Sequence, residues 1–120
     1  MRDRQTRGSG IARRLLRLSA AVIVLVEKLP KAYWTRHVGL QLVRAVTSSG
    51  ANYQEARHAE SRADFVHKVG VAAKELAEAL YWLELLGELR LPLDTAQLAR
   101  EADELIAILV SSGRTARANA

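Results

Sequence analysis

Apolar residues recur along the chain at alternating steps of three and four, the spacing that places side chains on one face of an α-helix. The first series predicts a helix over residues 11–29 that ends at Pro30. Three further series predict helices over residues 32–58, 61–90 and 95–111. Connections this short make successive helices antiparallel, so the pattern predicts an all-α, up-down-up-down four-helix bundle.

The third predicted helix carries two apolar faces. Its main stripe alternates steps of four and three over Phe65, Val69, Ala72, Leu76, Ala79, Leu83 and Leu86. A second set of apolar side chains accompanies that stripe: Tyr81, Trp82, Leu85 and Leu89. A single bundle of this size would cover the second face incompletely, so we predict that this face is the contact between copies in a homo-oligomer.

Length and composition narrow the class of protein. With 120 residues the chain has material for one hydrophobic core, and it contains no cysteine. The lack of cysteine excludes disulfides, thiolate metal sites and a cysteine nucleophile, and it fits a reducing cytoplasm. The apolar run over residues 18–26 is shorter than the ~20 residues of a membrane span, so we expect a cytoplasmic protein with no membrane partner.

The net charge of +5 lies at one end of the chain. Residues 1–17 hold six arginines and one aspartate, whereas the acidic and basic residues of the remainder cancel. We predict that residues 1–10 form a flexible arm, and that residues 112–120, which lose apolar periodicity, form a disordered tail. The arginines are a candidate electrostatic footprint for RNA or DNA. The predicted nucleic-acid-binding residues are Arg2, Arg4, Arg7, Arg13, Arg14 and Arg17.

Several short segments together resemble a known family. They comprise Leu29-Pro30-Lys31, residues 41–45, residues 49–56, Ser61, Asp64-Phe65, Lys68, Lys74-Glu75, Glu78 and residues 81–85, within a region covering about residues 14–90. This pattern resembles the bacterial four helix bundle protein family, named for relatives encoded in intervening sequences of large-subunit ribosomal RNA genes. The resemblance implies an antiparallel bundle that assembles into a ring, commonly a pentamer. It also implies structural roles for Asn52, Tyr53, Glu55, Ser61, Asp64, Phe65, Glu75 and Glu78.

The resemblance extends more distantly to the accessory variability determinant of diversity-generating retroelements. That relative is a basic pentamer that binds nucleic acid and a reverse transcriptase, so both become expected partners. This chain differs from it in charge, because the bundle outside the first 17 residues is neutral. The difference weakens the transfer of a basic RNA-binding surface to the body of this bundle.

Two pairs of residues have the carboxylate-x-x-His spacing of di-metal sites in helical bundles: Glu55 with His58, and Asp64 with His67. They flank one turn at a bundle end, whereas metal sites of bundles are buried between facing helices with additional carboxylates. We therefore interpret them as a polar cluster at helix ends and expect no metal or other cofactor. Ser61 and Asp64 also resemble a capping box that starts the third helix.

Other polar residues favour structural roles over catalysis. Glu75 and Glu78 have the i,i+3 spacing of a helix surface, which predicts charge pairs with Lys68, Arg62 or Lys74. Asn52 lies in an apolar stretch and is predicted to be a buried hydrogen-bonding residue that fixes helix register. The sequence contains no Gly-rich phosphate loop and no nucleophile with a recognisable base, so we expect no enzyme.

Two classes of function therefore remain open. The first is an oligomeric module that binds nucleic acid through its basic N-terminal region. The alternative is a protein-interaction scaffold, or an accessory subunit that recruits an enzyme such as a reverse transcriptase. Tyr81, Trp82 and Leu85 could instead stack on nucleotides, but their Leu and Glu neighbours supply no phosphate-binding cations, which favours the interface interpretation.

Overall fold

The computed structural model describes residues 2–119, with side chains for residues 8–119. The described residues form four helices and no strand: α1 (Arg2–Glu27), α2 (Thr35–Arg57), α3 (Arg62–Glu88) and α4 (Ala96–Ala118). Each helix packs against its neighbour in the chain, and α1 also meets α4; within the described part, no Cα atoms of diagonally opposite helices lie within 8 Å of each other. The predicted four-helix bundle is confirmed, with a long axis of 48 Å.

Leucine and alanine form most of the core, because each helix turns one stripe of apolar residues inward. The residues with no exposed surface include Leu15, Val46, Leu76, Leu83, Leu105 and Leu109. Ser49 is equally buried, and its hydroxyl donates a hydrogen bond of 2.7 Å to the Val46 carbonyl oxygen of its own helix. Ser19 of α1 donates to the same carbonyl at 3.3 Å, which joins α1 to α2 without an unsatisfied polar group.

Helices α1 and α2 pack closely at Gly39. A Cβ atom at this position would lie 2.9 Å from Val26 Cγ1, closer than carbon atoms pack. At Gly50, by contrast, a Cβ atom would lie 3.7 Å from Leu15 Cβ, an ordinary contact. The close packing that compensates for a helical glycine is therefore present at Gly39.

Both ends of the chain differ from the sequence prediction. The backbone of α1 begins at Arg2, so the predicted flexible arm of residues 1–10 is helical from its second residue. Helix α4 continues to Ala118, so most of the predicted tail is helical as well. At the end of α4 the reason lies in packing: Gly113 is buried against Val69 of α3, and the last turns of α4 share a groove with Gly8 and neighbouring residues of α1.

The connections between helices also have defined conformations. Helix α2 begins three residues later than predicted, because residues 30–34 form a loop. Helix α3 ends at Glu88, and the following Arg90 adopts φ of 54°, a left-handed conformation that disfavours residues with a Cβ atom. None of the four described helices has an apolar stretch of the length and hydropathy needed to span a bilayer.

Candidate nucleic-acid interface

Three of the predicted nucleic-acid-binding arginines lie on the described part of α1, and they have different environments. Arg13 and Arg17 are exposed, and no carboxylate among the described side chains pairs with either. Arg14 instead faces α4, where its Nε and Nη2 donate to the two carboxylate oxygens of Glu101 at 2.9 and 2.7 Å. The side chains of Arg2, Arg4 and Arg7 lie outside the described residues.

Arg14 therefore joins two helices, a role that sequence reasoning missed. Its Nη2 also lies 3.3 Å from Glu104, and both Arg14 and Glu101 are only about one-third exposed. The hydrogen bonds from Arg14 lower the pKa of the Glu101 carboxyl, against the opposing effect of partial burial. The same bonds raise the pKa of Arg14. A phosphate would have to compete with these carboxylates, so the prediction that Arg14 binds nucleic acid does not fit this arrangement.

Arg57 is a basic residue that the prediction did not include. It ends α2 and lines the outer groove between α1 and α2 together with Arg13. Its Nε would lie 3.5 Å from a Cβ atom at Gly8, so the guanidinium sits beside the first turns of α1. Because the loop between α1 and α2 reverses the chain, an arginine distant in sequence joins the basic surface of α1. Nothing in its sequence context distinguishes it from an ordinary surface arginine.

A cluster of charges joins α2 to α3 on another side of the bundle. Arg44 Nη1 and Nη2 contact Glu75 at 3.2 Å and Glu78 at 2.6 Å. Trp82 Nε1 donates to the same Glu78 oxygen at 3.1 Å, and this bond, followed by that from Arg44, lowers the pKa of Glu78. The expected charge pairing of the two glutamates is present.

The partner of those glutamates differs from the prediction. Arg44 of α2 takes the place of Lys68, Arg62 and Lys74, all three of which lie on α3. Lys68 instead contacts Glu55 of α2 at 2.6 Å, which accounts for the structural role implied for that glutamate. The prediction failed because it considered neighbours along one helix, whereas the cation comes from the facing helix.

The predicted oligomer face is partly covered within one chain. Trp82 is half-buried, with its ring edge-on to His37 of α2 at a centroid distance of 5.8 Å. Leu85 is also half-buried, whereas Tyr81 and Leu89 remain 59% and 45% exposed. Further apolar side chains are exposed on α1 and α2, at Leu16, Val24 and Leu40. The apolar surface open to another molecule therefore extends well beyond α3.

The remaining motif residues lie near the turn between α2 and α3. Ser61 caps α3, its hydroxyl accepting a hydrogen bond of 3.1 Å from the backbone amide of Asp64. Tyr53 is buried, which raises the pKa of its phenol, and Phe65 packs against the core. Asn52 donates to the Ser48 carbonyl oxygen of its own helix at 2.9 Å, so this bond does not fix the register between helices.

The two carboxylate-x-x-His pairs do not come together as a metal site. Among the described residues, no group of three or more His, Asp or Glu side chains could hold a metal ion. Glu55 is engaged by Lys68, and His58 and His67 are exposed. What the described surface offers to a ligand is arginine donors on α1 and α2, which suit phosphate oxygens, beside exposed apolar side chains.

Comparison with known proteins places this bundle in a family. The family model described as 23S rRNA-intervening sequence protein matches residues 10–111. A solved structure from Bacteroides thetaiotaomicron, described as a protein with unknown function from the S23 ribosomal protein family, shares 27% sequence identity and superposes with a TM-score of 0.75. That match covers 89% of this chain and 97% of the other. No curated protein matches. The chain therefore belongs to the 23S rRNA-intervening sequence protein family.

Proposed function

We propose that this chain is a non-catalytic, self-associating helical module that binds nucleic acid through the basic surface of α1. The proposal rests on one observation, the different environments of neighbouring arginines on α1. Arg14 is neutralised by α4, whereas Arg13 and Arg17 stay exposed and unpaired among the described side chains. Arg57 adds a third guanidinium to the groove that Arg13 lines. The net positive charge of a chain that is otherwise neutral therefore belongs to residues 1–17, the segment of α1 that carries Arg13 and Arg17.

This surface suits phosphate better than base edges. Its donors are arginines on the outside of a bundle, and each phosphate that such a group neutralises releases condensed counterions. Binding should therefore depend strongly on salt and weakly on sequence. Structured RNA or DNA fits, because a duplex presents phosphates at regular spacing to arginines that one helix holds in place.

Self-association would multiply this charge. Leu16 and Leu40 are 68% and 61% exposed, and Tyr81 and Leu89 leave a second apolar area on α3. A closed ring with heterologous contacts, in which two different surfaces meet, would cover both areas at once, and we propose a pentamer. Light scattering after size exclusion would then give about 66 kDa, five times the mass of one chain. A species of one-chain mass at micromolar concentration would overturn the ring.

The binding test uses point substitutions rather than truncation. Removal of residues 1–17 would delete Leu15, which is fully buried, and so would confuse loss of contact with loss of fold. The variant Arg13→Gln/Arg17→Gln removes two charges from exposed positions. Its matched control is Arg100→Gln/Arg114→Gln, which removes two exposed charges from α4.

Fluorescence anisotropy with a labelled RNA hairpin over a salt series provides the measurement. The α1 variant should bind more weakly and lower the salt slope by about 1.8, since each lost phosphate contact removes ~0.9. The α4 control should leave the slope near that of the unsubstituted chain. Equal losses in the two variants would indicate diffuse attraction to net charge and would overturn the assignment to α1.

The second candidate is a protein-interaction scaffold, with an enzyme such as a reverse transcriptase as its partner. The exposure of Leu16 and Leu40 favours it, because large apolar side chains that one chain leaves in solvent are candidates for contact with another protein. A pull-down from nuclease-treated lysate distinguishes the candidates. A partner that is retained after nuclease treatment supports the scaffold, and one that is lost supports bridging by nucleic acid.

A further inference from the structure

The loop between α1 and α2 displays an aromatic side chain in solvent. Tyr33 is 99% exposed, whereas its neighbour Trp34 is half-buried against the core. The exposure of a tyrosine in a mobile loop would say little about function, but hydrogen bonds fix the conformation of this loop. The hydroxyl of Thr35 donates to the Pro30 carbonyl oxygen and accepts from the Ala32 amide at 3.2 Å. The Thr35 amide closes the turn by donating to the Ala32 carbonyl oxygen at 3.2 Å.

Cations flank this tyrosine in the sequence. Residues 28–37 contain Lys28, Lys31 and Arg36 and no acidic residue. All three are exposed, and no described carboxylate forms an ion pair with any of them. His37 lies at the end of the segment and is also exposed. The loop is therefore a second basic surface, separate from the arginines near the start of α1.

An exposed aromatic ring and unpaired cations together offer the two kinds of contact that a nucleotide makes. Bases stack on aromatic side chains, and the same strand places its phosphates within reach of nearby lysine and arginine groups. The exposed ring of α3 lacks this combination: Tyr81 packs edge-on against Trp82 at a centroid distance of 5.0 Å, and Glu78 and Glu84 lie on the same helix. Tyr33 is the better stacking surface on both grounds.

We propose that residues 28–37 bind unpaired nucleotides of a single-stranded nucleic-acid segment. A base stacks on the ring of Tyr33, and Lys28, Lys31 and Arg36 neutralise the flanking phosphates. This inference rests on the proposed function and deepens it by naming unpaired nucleotides as the ligand of a second site. Lys28 directly follows α1 and lies fifteen positions after Arg13 and eleven after Arg17, about 22 and 16 Å along the helix axis, so the two sites are separate. A structured RNA with a stem next to an unpaired stretch would contact both.

The test uses the full chain with a fluorescein-labelled, single-stranded pyrimidine RNA of about 12 nucleotides, a length that one stacking site with flanking cations can hold. Tyr33→Ala should weaken binding by roughly 5- to 150-fold, and Tyr33→Phe should keep affinity close to the unsubstituted value because stacking needs the ring alone. Neither change removes core packing, since Tyr33 is 99% exposed. Circular dichroism and size exclusion check that the fold and the assembly are unchanged.

Two separate lysine substitutions test the phosphate contacts. Lys31→Gln should reduce the salt slope for the single strand by about 0.7, whereas Lys74→Gln, an exposed position on α3, should leave it unchanged. Equal binding by Tyr33→Ala and Tyr33→Phe would overturn the stacking site. Equal slopes for the two lysine variants would overturn the phosphate contacts.

The same variants separate this inference from the proposed function. If Tyr33→Ala binds the single strand normally while Arg13→Gln/Arg17→Gln loses the hairpin, the loop site is wrong and the α1 site stands. If the tyrosine variant alone loses binding, the loop site stands and the α1 assignment is wrong. If neither variant loses binding to either RNA, both proposals fail.

Discussion

Gly39 offers a direct test of how closely α1 and α2 approach. In Gly39→Ala the new methyl group would lie 2.9 Å from Val26 Cγ1, and Val26 is a β-branched residue whose rotamer is restricted in a helix. Two effects oppose each other. Alanine favours a helix interior over glycine by up to ~1 kcal/mol, whereas an extra methyl group in a packed contact costs about 1–3 kcal/mol. The steric effect is larger, so we expect the free energy of unfolding to fall by ~0.5–2 kcal/mol.

Gly70 of α3 supplies the matched control. It also lies within a helix, but a Cβ atom there would have no neighbour within 4 Å. Gly70→Ala should therefore show the helix preference alone and raise the free energy of unfolding by ~0.5–1 kcal/mol. Urea unfolding followed by circular dichroism measures both variants, at one protein concentration because self-association contributes to stability.

A second substitution identifies the atom responsible. Val26→Ala removes the methyl group that the new side chain would meet, so it should be less destabilising in the Gly39→Ala background than alone. We expect a coupling energy of at least ~1 kcal/mol from the double-mutant cycle. If Gly39→Ala stabilised the protein as much as Gly70→Ala does, the close contact between α1 and α2 would not exist in solution.

Two further substitutions test the turn after α3 and the ion pair between α1 and α4. Arg90→Gly should raise the free energy of unfolding by ~0.5–1 kcal/mol, because glycine adopts the observed φ of 54° without the penalty of a Cβ atom; an unchanged or lower urea midpoint would contradict this. Glu101→Gln should lower the free energy of unfolding at pH 7 by less than ~1 kcal/mol, since its pair with Arg14 is one-third exposed. The folded-state pKa of Glu101 is lowered, so its contribution is present above the usual value near ~4.3 and lost as pH falls through the lowered pKa. The difference between the two proteins should therefore shrink in acid, and a constant difference from neutral pH to strong acid would refute the ion pair.

Periodicity was sufficient to predict the four helices, because each has a stripe of leucine, valine or alanine facing one shared core. It was less informative at the helix ends. The last turns of α4 contain Ser112, Gly113 and Ala116, small residues without an apolar pattern, yet they are at least half-buried. Their helical state depends on packing against other helices, which a single segment of sequence does not reveal.

The candidate site shows the same limit for charged residues. Arg13, Arg14 and Arg17 are equivalent in sequence, and the facing carboxylates of α4 are what distinguish Arg14. Similarly, Arg57 joins the α1 surface only because α2 runs beside it. The basic character of residues 28–37 is visible in the sequence, since Tyr33 lies among three cations with no acid in the segment. Only the structure, however, separates the exposed Tyr33 from the half-buried Trp34.

The contact between α1 and α4 links ligand binding to the local stability of α1. Among the described neighbouring pairs, these two helices share the smallest contact. The ion pairs of Arg14 with Glu101 and Glu104 are the principal polar interaction between them. Local opening should therefore release α1 before α2, α3 and α4 separate from one another. A ligand held by the outer face of a docked α1 favours the closed state by mass action. Nucleic acid would then protect the backbone amides of the whole helix from hydrogen exchange, including turns that it never touches.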